Sequence, residues 1–187
     1  MNLQKMFEMQ KVLDDRIIKE KGLEGQDLLP NLILALQVEL AECANEWRGF
    51  KHWSNDREPR TKHPLEVSPN GAFRKGGNPL LEEYVECLHF ILSIGIRIGY
   101  TPHYYYLEFL KRSFFEVSGV NAFLAVLNEV AYFHTEVKTD GMVFTPYIEI
   151  FNRFNELGKA LGFTPDQIEA AYMDKNAVNH QRQQEGY

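Results

Sequence analysis

Two short segments of this sequence share one pattern: Glu39-Leu40-Ala41-Glu42-Cys43 and Glu83-Tyr84-Val85-Glu86-Cys87, both Glu-x-x-Glu-Cys. On a helix turning 100° per residue, carboxylates three apart leave the same face, about 60° from each other. The first pair borders an apolar stripe made by Leu32, Leu36, Leu40, Cys43 and Trp47, and Leu32 stands about 20° from Glu39 on the wheel. The second pair lies next to Phe90, with Ser93 and Arg97 continuing that side. Acids that border a core resist being charged, because desolvation and mutual repulsion both favour the protonated form. A hard divalent cation removes the conflict. Four carboxylate donors on two facing helices, with no His or Cys pair at zinc spacing, favour Mg²⁺ or Mn²⁺. Each cysteine follows a glutamate by one residue and is turned toward the apolar stripe, so Cys43 and Cys87 read as small core residues. The competing reading is a non-catalytic helical interaction module whose glutamates merely solvate a face, since Glu-x-x-Glu is common on exposed helices.

Such a site needs two helices held side by side, and the hydrophobic spacing supplies them. Apolar residues recur at three and four along most of the chain, and the alternation expected of strands is scarce, which predicts an all-α helical bundle with no strand required. Helices are expected over about residues 2–21 (Met6, Met9, Leu13 and Ile17 on one stripe), 30–48 and 79–98, with one or two more between 102 and 138 and another over 146–161. Thr164-Pro165-Asp166-Gln167 is a start signal for a last helix. Residues 54–79 read as a long loop in a basic neighbourhood, 51–79 holding six Lys or Arg against three acids. Residues 100–145 read as helical, with a tyrosine run at 104–106 that serves packing or a subunit interface. Thr139-Asp140-Gly141 reads as a turn, and 176–187 as a polar tail, too hydrophilic for the core.

Composition bounds the function. With 187 residues, 44% hydrophobic and 25% charged, the chain forms one domain with a genuine core, which excludes disordered, collagenous and disulfide-scaffold classes. A net charge of −6 argues against a duplex-DNA binder or an anionic-membrane coat, both of which need a concentrated positive field. Two cysteines make no staple framework, and the first ten residues lack the apolar core of a signal peptide. The longest apolar stretch, Phe90 to Tyr100, is too short to span a bilayer and contains Arg97. A cytoplasmic protein engaging neither membrane nor nucleic-acid polymer is expected. Four glutamates account for two-thirds of the charge surplus, so the acidity reads as a cation-binding pocket rather than a diffuse surface.

In their surroundings these motifs resemble the dimeric dUTPases of the all-α NTP pyrophosphatase superfamily. Met9-Gln10-Lys11-Val12-Leu13-Asp14 is similar to the family's uracil-reading segment. Glu39-x-x-Glu42, then Asn45-Glu46 and Phe50-Lys51-His52-Trp53-Ser54, resembles the first metal motif and its aromatic trailer. Glu83-x-x-Glu86-Cys87-Leu88-His89-Phe90 resembles the second, with Glu86 where the family usually has Asp. Tyr172-Met173-Asp174-Lys175-Asn176 through Arg182-Gln183 resembles the phosphate-binding C-terminal motif.

The resemblance implies a homodimeric dUTP diphosphatase that releases dUMP and pyrophosphate with two or three Mg²⁺ ions, or Mn²⁺, and that also accepts dUDP. It likewise implies that residues 100–145 form a variable helical insertion and that the tail at 176–187 orders on binding. Glu39, Glu42, Glu83 and Glu86 would be the metal ligands, and Glu39 or Glu42, with Glu39 preferred, the base that orients the attacking water. Gln10 and Asp14 would read the base, Trp53 would stack on it, and His89 would contact the sugar or support a ligand carboxylate. Lys175, Asn179 and Arg182 would hold phosphate, Arg182 through a forked pair of bonds. A MazG-like pyrophosphatase acting on another nucleotide such as dCTP is the alternative enzyme.

Overall fold

The computed structural model describes residues 1–68, 71–74, 76–102, 118–138 and 143–186. Among these residues, six helices carry nearly all the regular structure: α1 (Leu3–Glu20), α2 (Leu29–Trp47), α3 (Pro79–Arg97), α4 (Gly119–Val137), α5 (Phe144–Ala160) and α6 (Pro165–Gln184). Local sequence explains most of the starts. Asn2, Asn78, Ser118 and Thr164 each accept a backbone N–H at the head of their helix, and Thr164 with Gln167 closes a reciprocal capping box. Pro30, Pro79 and Pro165 occupy first-turn positions, where a missing N–H costs nothing. The tyrosine run at 104–106 and the turn at 139–141 lie outside the described residues.

Two expectations are corrected. The loop between α2 and α3 contains an antiparallel hairpin, β1 (Leu65–Ser68) and β2 (Gly71–Arg74), paired from Leu65 with Arg74 to Ser68 with Gly71. Strands of four residues are too short to show alternation, so the hydrophobic pattern carried no trace of them. The all-α class stands, because the ribbon is an appendage to a helical core. The polar C-terminal segment is also not a separate tail. Helix α6 continues through residues 176–184, Asn176 is buried, and Arg16 Nη1 donates to the carbonyl of His180 at 3.1 Å. Asn176 turns into the core and Asn179, Arg182 and Gln183 line a cavity, so polarity at those positions did not mean solvent.

Helix α3 is the axis of the molecule. It packs against α1, α2, α5 and α6, and its interior residues run from Leu80 and Tyr84 through Leu88 and Ile91 to Gly95. Three tyrosines lock the surrounding helices while burying their rings completely. Tyr84 donates to the carbonyl of Phe154 at 2.9 Å, Tyr147 to that of Ile91 at 3.0 Å, and Tyr172 to that of Met6 at 3.1 Å. A buried phenol needs such a partner, and a helical carbonyl on a neighbouring element supplies both the partner and the register. Cys43 and Cys87 are fully buried free thiols, as their wheel positions required.

Gly95 leaves the space that Tyr147 occupies, since a Cβ there would overlap the Tyr147 hydroxyl and press on the Phe7 ring. Gly95→Ala should therefore destabilise the fold by about 1–3 kcal/mol in denaturant titration, although alanine is the better helix former by about 1 kcal/mol. A neutral or stabilising result would show that the Tyr147 to Ile91 bond does not set the spacing of α3 and α5.

Candidate functional site

The site lies where α1, α2, α3 and α6 meet. Helix α2 presents Glu39 and Glu42, and α3 presents Glu83, so that one carboxylate oxygen from each lies within 4.8 Å of the others. Burial, and then the charges of Glu86, Glu42 and Glu83, push the Glu39 carboxyl up to about 7. Burial and the neighbouring Glu42 likewise raise Glu83. Three oxygen donors at this spacing, two of them resisting ionisation, fit a hard divalent cation. Glu86 takes a different partner, forming an ion pair with Lys175 of α6.

The cluster opens onto a cavity of about 530 Å³. Glu39 and Glu86 line its acidic end, Leu13, Ile17, Leu32, Phe90 and Ile96 an apolar part, and Gln10, Asp14, His89, Ser93, Asn179 and Arg182 a polar part. Nucleoside-sized ligands fill cavities of this size and mixed character.

The polar wall is a closed network centred on Gln10, which is 3% exposed. Gln10 Nε2 donates to Asp14 Oδ1 at 2.8 Å and to Ser93 Oγ at 3.1 Å, while Ser93 Oγ donates to the same Asp14 oxygen at 3.0 Å. Gln10 Oε1 accepts from Tyr172 at 3.0 Å and from His89 Nδ1 at 2.6 Å. The assignment is forced by chemistry: an amide oxygen only accepts, so His89 carries its proton on Nδ1 and Nε2 is left as an acceptor. That Nε2 is buried without a partner, as is Oε1 of Gln183, and both residues line the cavity. Burial and the Lys175 charge push His89 down to about 3, so the ring is neutral. Tyr172 stacks on it at 4.3 Å between centroids. Burial raises Asp14 to about 6 against the opposing bonds from Gln10 and Ser93.

A family model described as dUTPase matches residues 2–67 and 71–187. The chain belongs to this all-α dUTPase family. It is therefore a nucleoside triphosphate pyrophosphohydrolase of dUTP diphosphatase type, with a small-molecule nucleotide as substrate. Among curated protein sequences none matches the chain. No helix among the described residues is long and apolar enough to cross a membrane.

In this dUTPase, five of the residues singled out for substrate line the one cavity: Gln10, Asp14, His89, Asn179 and Arg182. Arg182 Nη1 is steadied by Asn179 Oδ1 at 3.4 Å. Lys175 stands beside the carboxylates through its pair with Glu86 rather than as a free cation. Trp53, expected as a stacking platform, stands outside the cavity; it is 67% exposed and meets Phe50 and His52 edge-on. Within this chain the flat apolar surface in the cavity is Phe90. Gln10, expected to read the base, bonds Asp14, Ser93, His89 and Tyr172 inside the protein, the last through a hydroxyl proton shared with the Met6 carbonyl.

The sequence reading gave no individual role to Ser93, or to Tyr172 and Gln183, which it named only within the C-terminal motif. The i to i+4 spacing of Gln10 with Asp14 and of His89 with Ser93 was a usable signal, because residues four apart share a face. Tyr172 and Gln183 carried none, since their inward direction depends on how α6 docks.

Proposed function

We propose that this dUTPase hydrolyses dUTP to dUMP and pyrophosphate at the junction of the cavity and the carboxylate cluster, with Glu39, Glu42 and Glu83 holding Mg²⁺. The observation that carries this reading is the cavity itself, a nucleoside-sized space whose acidic end is continuous with three clustered carboxylates. When bound, divalent cations supply neutralisation of phosphate charge and acidification of water. Glu39, which belongs to the cluster and also lines the cavity, is placed to accept a proton from the attacking water. Arg182, braced by Asn179, offers paired donors to phosphate oxygens, and Lys175 adds a point charge beside Glu86. Glu86 acts through Lys175 or joins the metal ligands once phosphate draws that lysine away.

Base preference follows from an unpaired acceptor. His89 Nε2, an acceptor without a partner, can be satisfied by a donor, which uracil offers at its ring N3–H. Cytosine has an acceptor at that ring position and would leave a buried acceptor facing an acceptor. This supports dUTP over dCTP. A second copy of the chain suits the exposed apolar residues Leu34 and Val38 on α2 and Leu124 and Tyr132 on α4, two helices that pack together.

Purified protein given each deoxynucleoside triphosphate with Mg²⁺ should turn over dUTP at least about 10²-fold faster than dCTP, and EDTA should abolish the reaction. Preferential dCTP turnover with inert dUTP would overturn the assignment.

A further inference from the structure

A second pocket, of about 230 Å³, lies beside the carboxylate cluster and is lined by residues that the nucleoside cavity does not use, among them Glu46, Arg60, Lys62, His63, Glu82 and Glu83. Its place on the helices is informative. Along α3, the second pocket takes Pro79, Glu82 and Glu83, whereas the nucleoside cavity takes Glu86, His89, Phe90 and Ser93. Along α2, it takes Glu46, whereas the cavity takes Leu32 and Glu39. Glu39 and Glu46 are two turns apart, about 10 Å along the axis. The cluster of Glu39, Glu42 and Glu83 thus sits between the two spaces, and Glu83 belongs to both the cluster and the second pocket. A linear ligand whose base fills the cavity and whose phosphates cross the cluster arrives at Arg60 and Lys62.

The segment that carries these two cations is fastened to both carboxylate helices by its backbone. The Arg60 N–H donates to the Glu46 carbonyl at 2.9 Å, at the end of α2, and the Arg60 carbonyl accepts from Leu80 N at 3.0 Å, in the first turn of α3. Both are groups that a helix end leaves without an internal partner, so the loop caps the two helices that bear the glutamates. His63 meets Glu82 at 2.9 Å, and the Arg60 side chain donates to the exposed Asp56 at 3.1 Å. The Arg60 backbone is therefore fixed at the rim, and the exposed Arg60 and Lys62 side chains line the pocket. A departing pyrophosphate is a polyanion, and a forked guanidinium with an ammonium is the chemistry that receives one.

Building on the function proposed above, we infer that this pocket is a pyrophosphate subsite, in which Arg60 and Lys62 contact the terminal phosphates of the substrate and the leaving pyrophosphate. The test is direct binding of pyrophosphate and of dUMP by calorimetry in Mg²⁺ buffer, with dUTP turnover measured alongside. Arg60→Gln combined with Lys62→Gln should weaken pyrophosphate binding roughly 100-fold, about tenfold for each charge-assisted contact, and change dUMP binding less than about twofold. The backbone caps survive both substitutions, so circular dichroism should be unchanged. Arg57→Gln removes a charge from the same loop outside the pocket, at a side chain that donates to the Gly49 carbonyl at 3.1 Å. It should leave pyrophosphate binding within about twofold, which separates contact from the general field of the loop. Pyrophosphate binding that survives in the double variant, or that falls equally with Arg57→Gln, overturns the subsite while dUTP turnover by the unaltered chain leaves the functional reading standing. An unaltered chain that neither turns over dUTP nor binds pyrophosphate overturns both.

Discussion

Glu42→Gln should lower kcat for dUTP hydrolysis by about 10³-fold while the bundle stays folded. Glu42 is the exposed member of the three clustered carboxylates, so its replacement removes a charge without opening a cavity. In the metal-free protein that charge raises both Glu39 and Glu83. The variant should consequently melt at the same temperature as the native chain or higher in EDTA, whereas Mg²⁺ should raise the melting temperature of the native chain alone. A pH series sharpens the expectation. The Glu39 carboxyl titrates at about 7 in the folded chain against 4.5 as its ordinary value. Between these values the folded state holds more protons than the unfolded one, so this group's contribution to stability falls as pH rises through that window. The loss should be smaller in Glu42→Gln and should be reversed by Mg²⁺, whose binding expels the proton. Melts with Mg²⁺ or EDTA from pH 5 to 8 measure all of this, and a retained rate in Glu42→Gln would remove the metal-site assignment.

Gln10→Leu should reduce kcat/KM for dUTP by about 10²-fold and, more tellingly, narrow the preference for dUTP over dCTP. The substitution keeps the volume of a buried side chain, so the stability loss reduces to orphaned partners. Tyr172 retains the Met6 carbonyl and Asp14 retains Ser93, whereas His89 Nδ1 loses its acceptor. One unpaired buried donor costs about 1–3 kcal/mol. The functional effect is separate. Without Gln10 nothing pins the proton to Nδ1, and a ring protonated on Nε2 presents a donor where the native site presents an acceptor. Kinetics on both nucleotides, with a denaturant titration on the same preparation, separates the two effects. An unchanged dUTP to dCTP ratio would show that Gln10 only packs.

The carboxylates, the two helices that bear them and most helix starts were legible because each depends on residues within one or two turns. Pro79 and Thr164 to Gln167 announce their helices through local backbone chemistry. The Glu-x-x-Glu spacing fixes a shared face whatever the helix packs against. The hairpin at 65–74 was not legible, since short ribbons are specified by their pairing more than by composition. The polar end of α6 misled in the opposite direction. Asn176 and Gln183 read as solvated by type, but the docking of α6 against α1 and α3 turns them inward.

The site shows the same division. Sequence alone determined that four glutamates occupy paired faces on two apolar helices, that Cys43 and Cys87 face the core, and that the chain resembles a dUTPase. Only the tertiary structure decided that Glu39, Glu42 and Glu83 form one cluster while Glu86 pairs with Lys175, some ninety residues away in the chain. It also decided that Gln10 is spent on its neighbours, that His89 Nε2 is the atom left open, and that Trp53 stands apart from the cavity. The physical reason is reach. Helical periodicity orders side chains around one axis, whereas hydrogen-bond valence and charge pairing are settled by whichever groups a second helix brings within about 3 Å.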